Sequence, residues 1–451
     1  MCYHIRMIKK NDILEVNILN LGCNGEGVAK HDDIVLFVPF ALPGEKVKVQ
    51  VINTKQKAYI CKVIDIITPS PDRVNPVCPV FEKCGGCQLQ HLNYNSACDF
   101  KTELVQNAIT HIGKIDYKVK PCIESNKKYF YRNKLALPID PVSRSVGMFR
   151  TASHSIVNIN NCFIQKEWCS DIIDNFNSYL KNSGVSIYDE NTGKGVLKHL
   201  VVREVCNKFL ITVVVNGNEL PNSESLISLL SKNKIDFGLN ININKGNSNV
   251  ILTNEYKHVY GIKEVNLEEY GIRYNINNAS FMQVNDYIKH LIYDAVLQEI
   301  DINAIVVDSY SGAGLLTAIM SRVCKYAYGI EIVKPAVDIA NELKKNNNIL
   351  NMKNICGDAA VELPKLINTI ADDFVVVIDP PRKGCSKQVI DTLGKVQPKK
   401  IIYISCNPST LARDLYNLNQ VSDRYVIKTI QPYDMFPQTK HVETLVVLER
   451  K

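Results

Sequence analysis

The stretch Ile305-Val-Val-Asp308-Ser-Tyr310-Ser-Gly312-Ala-Gly314 is a short apolar run ending in an acid, then a turn with two glycines. Glycine at such a turn lets the backbone bend sharply and come close to a nucleotide-like ligand. A helical pattern follows. Outward from it, apolar runs at Tyr326–Ile330, Val375–Asp379, Lys400–Ser405 and Thr444–Leu448 alternate with helical periodicity from about residue 285 onward. Such a pattern predicts a parallel sheet covered on both faces, a C-terminal α/β Rossmann-like domain. Open sheets of this kind bind ligands at the carboxyl edge of their strands. Two residues are placed for that edge: Asp379 in Asp379-Pro380-Pro381-Arg382, and Cys406 in Ser405-Cys406-Asn407-Pro408. A thiol there is a candidate covalent nucleophile.

Glu331 ends the strand after the glycine turn, 23 residues beyond Asp308, where a carboxylate can accept hydrogen bonds from ribose hydroxyls. The three-glycine dinucleotide fingerprint is absent. S-adenosylmethionine fits the turn better than NAD, because it needs ribose contacts but no pyrophosphate cradle.

A chain of 451 residues exceeds one ordinary core, so two or three domains are expected. With 46% hydrophobic and 22% charged residues it reads as globular. No apolar h-region follows Met1-Cys-Tyr-His-Ile-Arg, and the run Ile34–Leu42 is too short to span a bilayer. The expected place is a reducing cytoplasm with no membrane partner, where fifteen cysteines point to metal or catalysis rather than disulfides. The net charge is +7, and between Lys114 and Asn160 nine Lys/Arg face three Asp/Glu, interleaved with Tyr129, Phe130, Tyr131 and Phe149. Cations beside aromatics suit a phosphate backbone with unstacked bases.

Residues from about 5 to 66 read as short strands between turns, economically a small barrel. A proline-rich connector and a helix over 93–112 follow, and strands such as Leu197–Val205 and Phe209–Val215 mark a mixed middle. In the connector, Cys78-x5-Cys84-Gly-Gly-Cys87 groups three thiols on one loop. Tetrahedral zinc and iron–sulfur clusters both use such sets, and spacing alone neither chooses between them nor supplies a fourth ligand.

Taken in order, Cys78-x5-Cys84-x2-Cys87, Asp379-Pro-Pro-Arg382, Ser405-Cys406-Asn-Pro408 and Asp434-Met-Phe-Pro-Gln-Thr-Lys-His-Val-Glu443-Thr444 resemble the RNA 5-methyluridine methyltransferases over nearly the whole chain. The start is similar to a TRAM domain, an OB-like RNA-binding barrel, through Gly25-Glu-Gly27 and Phe37-Val-Pro-Phe-Ala-Leu-Pro-Gly-Glu45. The middle matches through Tyr131-Arg-Asn-Lys134, Gly147-Met-Phe-Arg150 and Asn161-Cys162. The resemblance implies three domains: a TRAM barrel over 5–66, an α+β central RNA-binding domain with an iron–sulfur loop over 67–265, and an S-adenosylmethionine-dependent methyltransferase domain over 266–451. It implies Cys162 as fourth ligand of a [4Fe–4S] cluster with Cys78, Cys84 and Cys87. It implies Gln283, Tyr310, Glu331 and Asp379 as cofactor contacts, Cys406 as nucleophile and Glu443 as general base. The resemblance leaves open whether the helix at 93–112 packs with the catalytic domain or with its sequence neighbours.

The expected reaction is methylation of uracil C5 in RNA, with 23S rRNA as substrate and tRNA as the alternative, by a monomer that does not act on DNA. Two rivals are an amino-group methyltransferase and a non-catalytic RNA chaperone or ribosome-assembly factor. Against the first, Arg382 stands where the amino-group enzymes place an aromatic and Cys406 would have no task; against the second stands the intact set Gln283, Tyr310, Glu331, Asp379, Cys406 and Glu443. Cys385, six residues after Asp379, is expected to be structural.

Overall fold

The computed structural model describes residues 8–55, 58–370 and 373–451, so the start of the expected barrel at 5–7 lies outside the described residues. The chain divides into two compact units. One takes the residues through Lys101 together with 149–157 and 438–440; the other takes 102–148, 158–437 and 441–451.

In the first unit, β1 (Ile13–Leu21), β2 (Gly27–His31), β3 (Ile34–Val38), β4 (Lys46–Lys55) and β5 (Ala58–Thr68) close a barrel in the order β1-β2-β3-β5-β4. Along β4, Val47, Val49 and Val51 face inward while Lys46 and Lys48 face out, the period of two that a half-buried strand requires. Val16, Ile18, Ala29, Leu36, Val38 and Cys61 complete that core. Glu45 is fully buried, with Arg73 as its ion-pair partner and the amides of Leu42 (2.8 Å) and Ser70 (3.2 Å) bonded to its carboxylate. Burying a carboxylate is tolerable only with such partners. They hold its pKa below the usual range although burial alone would raise it.

Helix α1 (Tyr94–His111) follows the connector, and from Thr102 onward it belongs to the second unit. There Cys122 N donates to Thr102 Oγ1 (2.9 Å), while Lys120 N and Ile123 N donate to Ile430 O and Pro432 O. The helix expected at 93–112 is thus divided, its part from Thr102 onward lying in the second unit.

Next come β6 (Lys134–Asp140), β7 (Ser145–Phe149), β8 (Ile156–Asn158), α2 (Cys169–Asn182), β9 (Leu197–Val205), β10 (Lys208–Val215), α3 (Ser223–Ser231), β11 (Asp236–Ile243) and β12 (Tyr256–Gly261). They form a seven-stranded sheet of order β12-β11-β10-β9-β6-β7-β8. A hairpin of β13 (Glu264–Glu269) and β14 (Ile272–Asn277) leads to α4 (Asp286–Gln298). Its inward residues Val265, Ile272 and Ile276 share one core with Val205 and Leu210 of the sheet, and with Ala318, Ile319, Leu343 and Met352 further along the chain. Through that shared core the middle sheet and the C-terminal sheet make one unit.

The C-terminal part is β15 (Ile305–Ser309), α5 (Leu315–Met320), β16 (Tyr326–Glu331), α6 (Lys334–Asn346), β17 (Met352–Cys356), α7 (Ala359–Ile367), β18 (Phe374–Ile378), α8 (Lys387–Val396), β19 (Lys400–Ser405), α9 (Pro408–Val421), β20 (Tyr425–Tyr433) and β21 (Glu443–Arg450). The sheet order is β17-β16-β15-β18-β19-β21-β20, parallel up to β19, with β21 antiparallel to it. All five residues of β18 are buried, as expected of a central strand covered on both faces. The order reverses between β15 and β18, the switch point where such sheets open a ligand crevice. The edge strand β17 escapes sequence reading because only Met352 of its five residues is buried. No helix among the described residues is long and apolar enough to cross a membrane.

Candidate active site

The turn after β15 is held open by its backbone. Tyr310 has φ 76°, Gly312 54° and Gly314 79°, a left-handed run that costs a tyrosine far more than a glycine. Tyr310 N and Ser311 N both donate to Ile330 O (2.9 and 3.0 Å), which clamps the strained residue to the neighbouring strand. A Cβ on Gly314 would come within 2.7 Å of the Ala340 Cβ, so α6 packs against the turn only because glycine stands there.

Glu331, at the tip of β16, accepts from Gly312 N (3.0 Å) with one oxygen and from Val333 N (2.8 Å) with the other. Those bonds hold the carboxylate beside the glycine turn. Asp308 is buried and accepts from Thr317 Oγ1 (2.6 Å), and burial pushes its carboxyl up to about 7. Gln283 lies on the segment entering α4, where its carbonyl accepts from Asn133 Nδ2 (3.0 Å). Asn285, two residues on, caps α4 and ties Ser125 Oγ (3.0 Å) to the same corner.

Cys406 follows β19 and precedes Asn407, whose side chain caps α9 by accepting from Ser409 N and Thr410 N. The thiol therefore sits at the positive end of a fourteen-residue helix, a position that favours a thiolate. Across the antiparallel pair, Ser405 faces Thr444, and the next residues beyond that pair are Cys406, just past β19, and Glu443, at the start of β21. Burial raises the Cys406 thiol first, and the Glu443 and Asp379 carboxyls raise it further, while the Arg382 guanidinium pulls it down. Glu443 is 4% exposed, and burial followed by the field of Asp379 pushes its pKa well up, again against Arg382. Asp379, just past β18, is lifted to about 7 by burial and by Asp308.

The loop that carries Arg382 is strapped to α9. Asn407 Nδ2 and Thr410 Oγ1 donate to Arg382 O (3.1 and 3.3 Å), and Arg413 Nη2 donates to Lys383 O (2.9 Å). Buried Asp414 accepts from Cys385 N (2.8 Å) and Tyr403 OH (2.7 Å). Gly384 has φ 76°, and a Cβ there would lie 2.5 Å from Asp414 Oδ2. Arg382, Tyr403 and Asp414 were not among the sequence-derived site residues. Arg382 carried a visible signal, a cation in the Asp-Pro-Pro-Arg run, whereas Asp414 lies within a helical pattern and carried none. Cys385 is sealed, 7% exposed, its thiol pushed up to about 12 by burial; Cys406 is half-buried.

The expected cluster ligands divide otherwise. Cys78, Cys84 and Cys87 are half-buried in the first unit, where Gly86 N donates to Cys84 Sγ (3.3 Å) and Cys78 N to Gln90 Oε1 (3.2 Å). Cys162 belongs to the second unit, its amide bonded to Asn161 Oδ1 (2.8 Å). Among the described residues no group of three His, Cys, Asp or Glu side chains is placed as a metal site requires.

The site thus unites a thiol, a buried carboxyl, a second carboxyl and a guanidinium beside a nucleotide-type turn. Residues 94–451 match the family pattern described as tRNA (uracil-5-)-methyltransferase. The chain belongs to that family. Residues 9–58 of this uracil-5-methyltransferase match the TRAM domain, in agreement with the five-stranded barrel. It is 37% identical to an uncharacterized RNA methyltransferase of Clostridium acetobutylicum, over 98% of both chains. A second uncharacterized RNA methyltransferase, from Halalkalibacterium halodurans, is 36% identical over 98% of each. Among solved structures it resembles the Pyrococcus abyssi tRNA (uracil-54, C5)-methyltransferase in complex with S-adenosyl-L-homocysteine, with TM-score 0.78 and 25% identity over 96% of this chain and 99% of that one.

Proposed function

We propose that this enzyme methylates C5 of uracil in RNA with S-adenosylmethionine as donor, Cys406 as nucleophile and Glu443 as general base. The observation that carries the reading is that the Glu443 carboxyl acts on the Cys406 thiol, each one residue beyond the Ser405–Thr444 pair of β19 and β21. Uracil C5 is a weak nucleophile. Attack of the Cys406 thiolate on C6 forms a carbon–sulfur bond and moves the ring electrons to C5 as an enolate. The bound cofactor supplies an electrophilic methyl group to that carbon. Glu443 then removes the C5 proton, the C5–C6 double bond returns, and the thiolate leaves. A base must be ionised to do this, and the Arg382 guanidinium is the cation that favours its charge. Gln283, Tyr310, Glu331 and Asp379 are assigned to the cofactor, supported by the open turn and the orientation of Glu331.

The target base must leave its stack, at a cost of about a few kcal/mol. RNA carrying 5-fluorouridine tests the scheme, because fluorine cannot leave C5 as a proton does. A covalent adduct is expected with the native protein and none with Cys406→Ala; adduct persisting in that variant overturns the assignment.

For the substrate, the cysteine loop and barrel support 23S rRNA, and the likeness to the Pyrococcus abyssi enzyme supports tRNA as the second reading. Tritiated methyl transfer to separated rRNA and tRNA pools decides between them. Transfer to neither pool favours a chaperone.

Cys78, Cys84, Cys87 and Cys162 are assigned to a [4Fe–4S] cluster. Four soft thiolates suit it, and the Gly86 amide on the Cys84 sulfur is the kind of hydrogen bond that supports a cluster ligand. Its task is structural, since methyl transfer moves no electron. Brown protein from anaerobic purification is expected; colourless protein with one zinc overturns this.

A further inference from the structure

Lys134 and Arg203 are direct cross-strand partners on β6 and β9, and Arg132, two residues before Lys134, donates from Nε to the Lys134 carbonyl (3.1 Å). Like charges placed directly opposite one another destabilise a sheet. Among the described residues no carboxylate lies within ion-pair distance of any of the three. The acids nearby are engaged elsewhere. Glu204 pairs with Lys166, and Asp286 accepts from Asn133 Nδ2 (3.3 Å) and faces Lys289 (3.7 Å).

Arg203 is 4% exposed and donates from Nη1 to the Asn277 carbonyl (3.0 Å), while the half-buried Lys134 amine has no acceptor among the described residues. Burial, then Arg203, then Arg132 lower the Lys134 pKa to about 8. A buried guanidinium and an unpaired amine side by side are costly unless an anion completes them.

The cluster also adjoins the cofactor segment. Asn133, between two of these cations, bonds to both Gln283 O (3.0 Å) and, through its amide, Val284 O (3.1 Å). We propose that Lys134, backed by Arg203 and flanked by Arg132, is a phosphodiester subsite that seats the RNA backbone next to the base being methylated. This rests on the RNA reading above. Three cations exceed what the single carboxylate of the cofactor could balance, and successive phosphates of a polyanion match them.

The test uses the full-length protein, bulk cellular RNA and a 5-fluorouridine-containing single-stranded RNA. For Lys134→Gln, the KM for bulk RNA rises roughly tenfold while kcat at saturating RNA is kept, and the slope of log affinity against log salt falls by about one. Lys134→Arg restores both. Arg203→Lys, which keeps the buried charge, gives a smaller rise. S-adenosylhomocysteine affinity, measured by calorimetry, is unchanged in each variant.

An unaltered KM and salt slope in Lys134→Gln overturns the subsite, and so does a loss of S-adenosylhomocysteine affinity, which would give the cluster to the cofactor carboxylate. Should the native protein methylate no RNA, the catalytic reading fails. The salt slope of filter binding to the fluorouridine RNA still decides the subsite.

Discussion

The Glu443 carboxyl lies close enough to the Cys406 thiol to raise its pKa, both residues standing one step beyond the Ser405–Thr444 pair of β19 and β21. The carboxyl is at the start of β21 and the thiol one residue past the end of β19, so the strand register brings both to the same edge of the sheet. A site on paired strands holds its geometry better than one on loops.

That relationship makes the thiol titration a direct probe. Glu443 and Asp379 raise the Cys406 pKa and Arg382 lowers it. Alkylation rates measured against pH should therefore have a midpoint above the ordinary thiol value of about 8.5. Glu443→Gln should move the midpoint down and Arg382→Ala up. A midpoint that ignores both variants would mean that these groups do not face the sulfur.

Asp379 and Glu443 are acids whose folded pKa values are raised, so the folded state holds their protons more tightly than the unfolded chain does. Their contribution to stability is present at acid pH and is lost as pH climbs from about 4 through about 7. At pH 8 the site is a strained part of the fold. Asp379→Asn and Glu443→Gln should each stabilise the protein by about 1–3 kcal/mol at that pH while reducing methyl transfer by orders of magnitude. Denaturant titrations at pH 5 and pH 8 check this; equal effects at both values would contradict it.

His91 gives the first unit the opposite slope. It is 1% exposed among Phe40 and Phe81, neither ring nitrogen has a partner among the described residues, and burial followed by Arg73 lowers its pKa to about 4. Its folded pKa lies below the unfolded value, so stability falls as pH drops from about 6.5 to about 4, by up to about 3 kcal/mol. His91→Phe should flatten that limb of the pH–stability curve. Glu45, lowered in the folded state, gives a residual loss in the same direction.

Asp414 holds the Arg382 loop through Cys385 N and Tyr403 OH and bonds to Arg413 (2.7 Å). Asp414→Ala should cost about 2–4 kcal/mol, since it leaves buried donors unmet. It should also shift the Cys406 alkylation midpoint upward, because Arg382 loses its seat. Tyr403→Phe removes one bond and should cost about 1 kcal/mol. Thermal melts with the same alkylation assay separate loss of fold from loss of positioning.

Most of this architecture was legible in local pattern. Five C-terminal strands, four parallel and the antiparallel β21, were expected within two residues of their observed limits, because strands inside a sheet are largely apolar and carry their own signal. Edge strands β17 and β20 were missed, since one exposed face blurs the apolar run. Cys406, Asp379 and Glu331 could be singled out because strand ends are visible in sequence. Glu443 was reached only through a resemblance, and Asp414 not at all.

By itself the sequence determined which residues could do chemistry and on which strand tips they sit, because period and turn residues are local properties. Only the tertiary structure decided that Glu443 lies close to Cys406, that Cys385 is sealed while Cys406 is half-open, and that Lys134 and Arg203 stand together with no acid paired to them among the described residues. Burial and the field of a neighbour depend on strand register between segments far apart in the chain, and no local pattern contains that register.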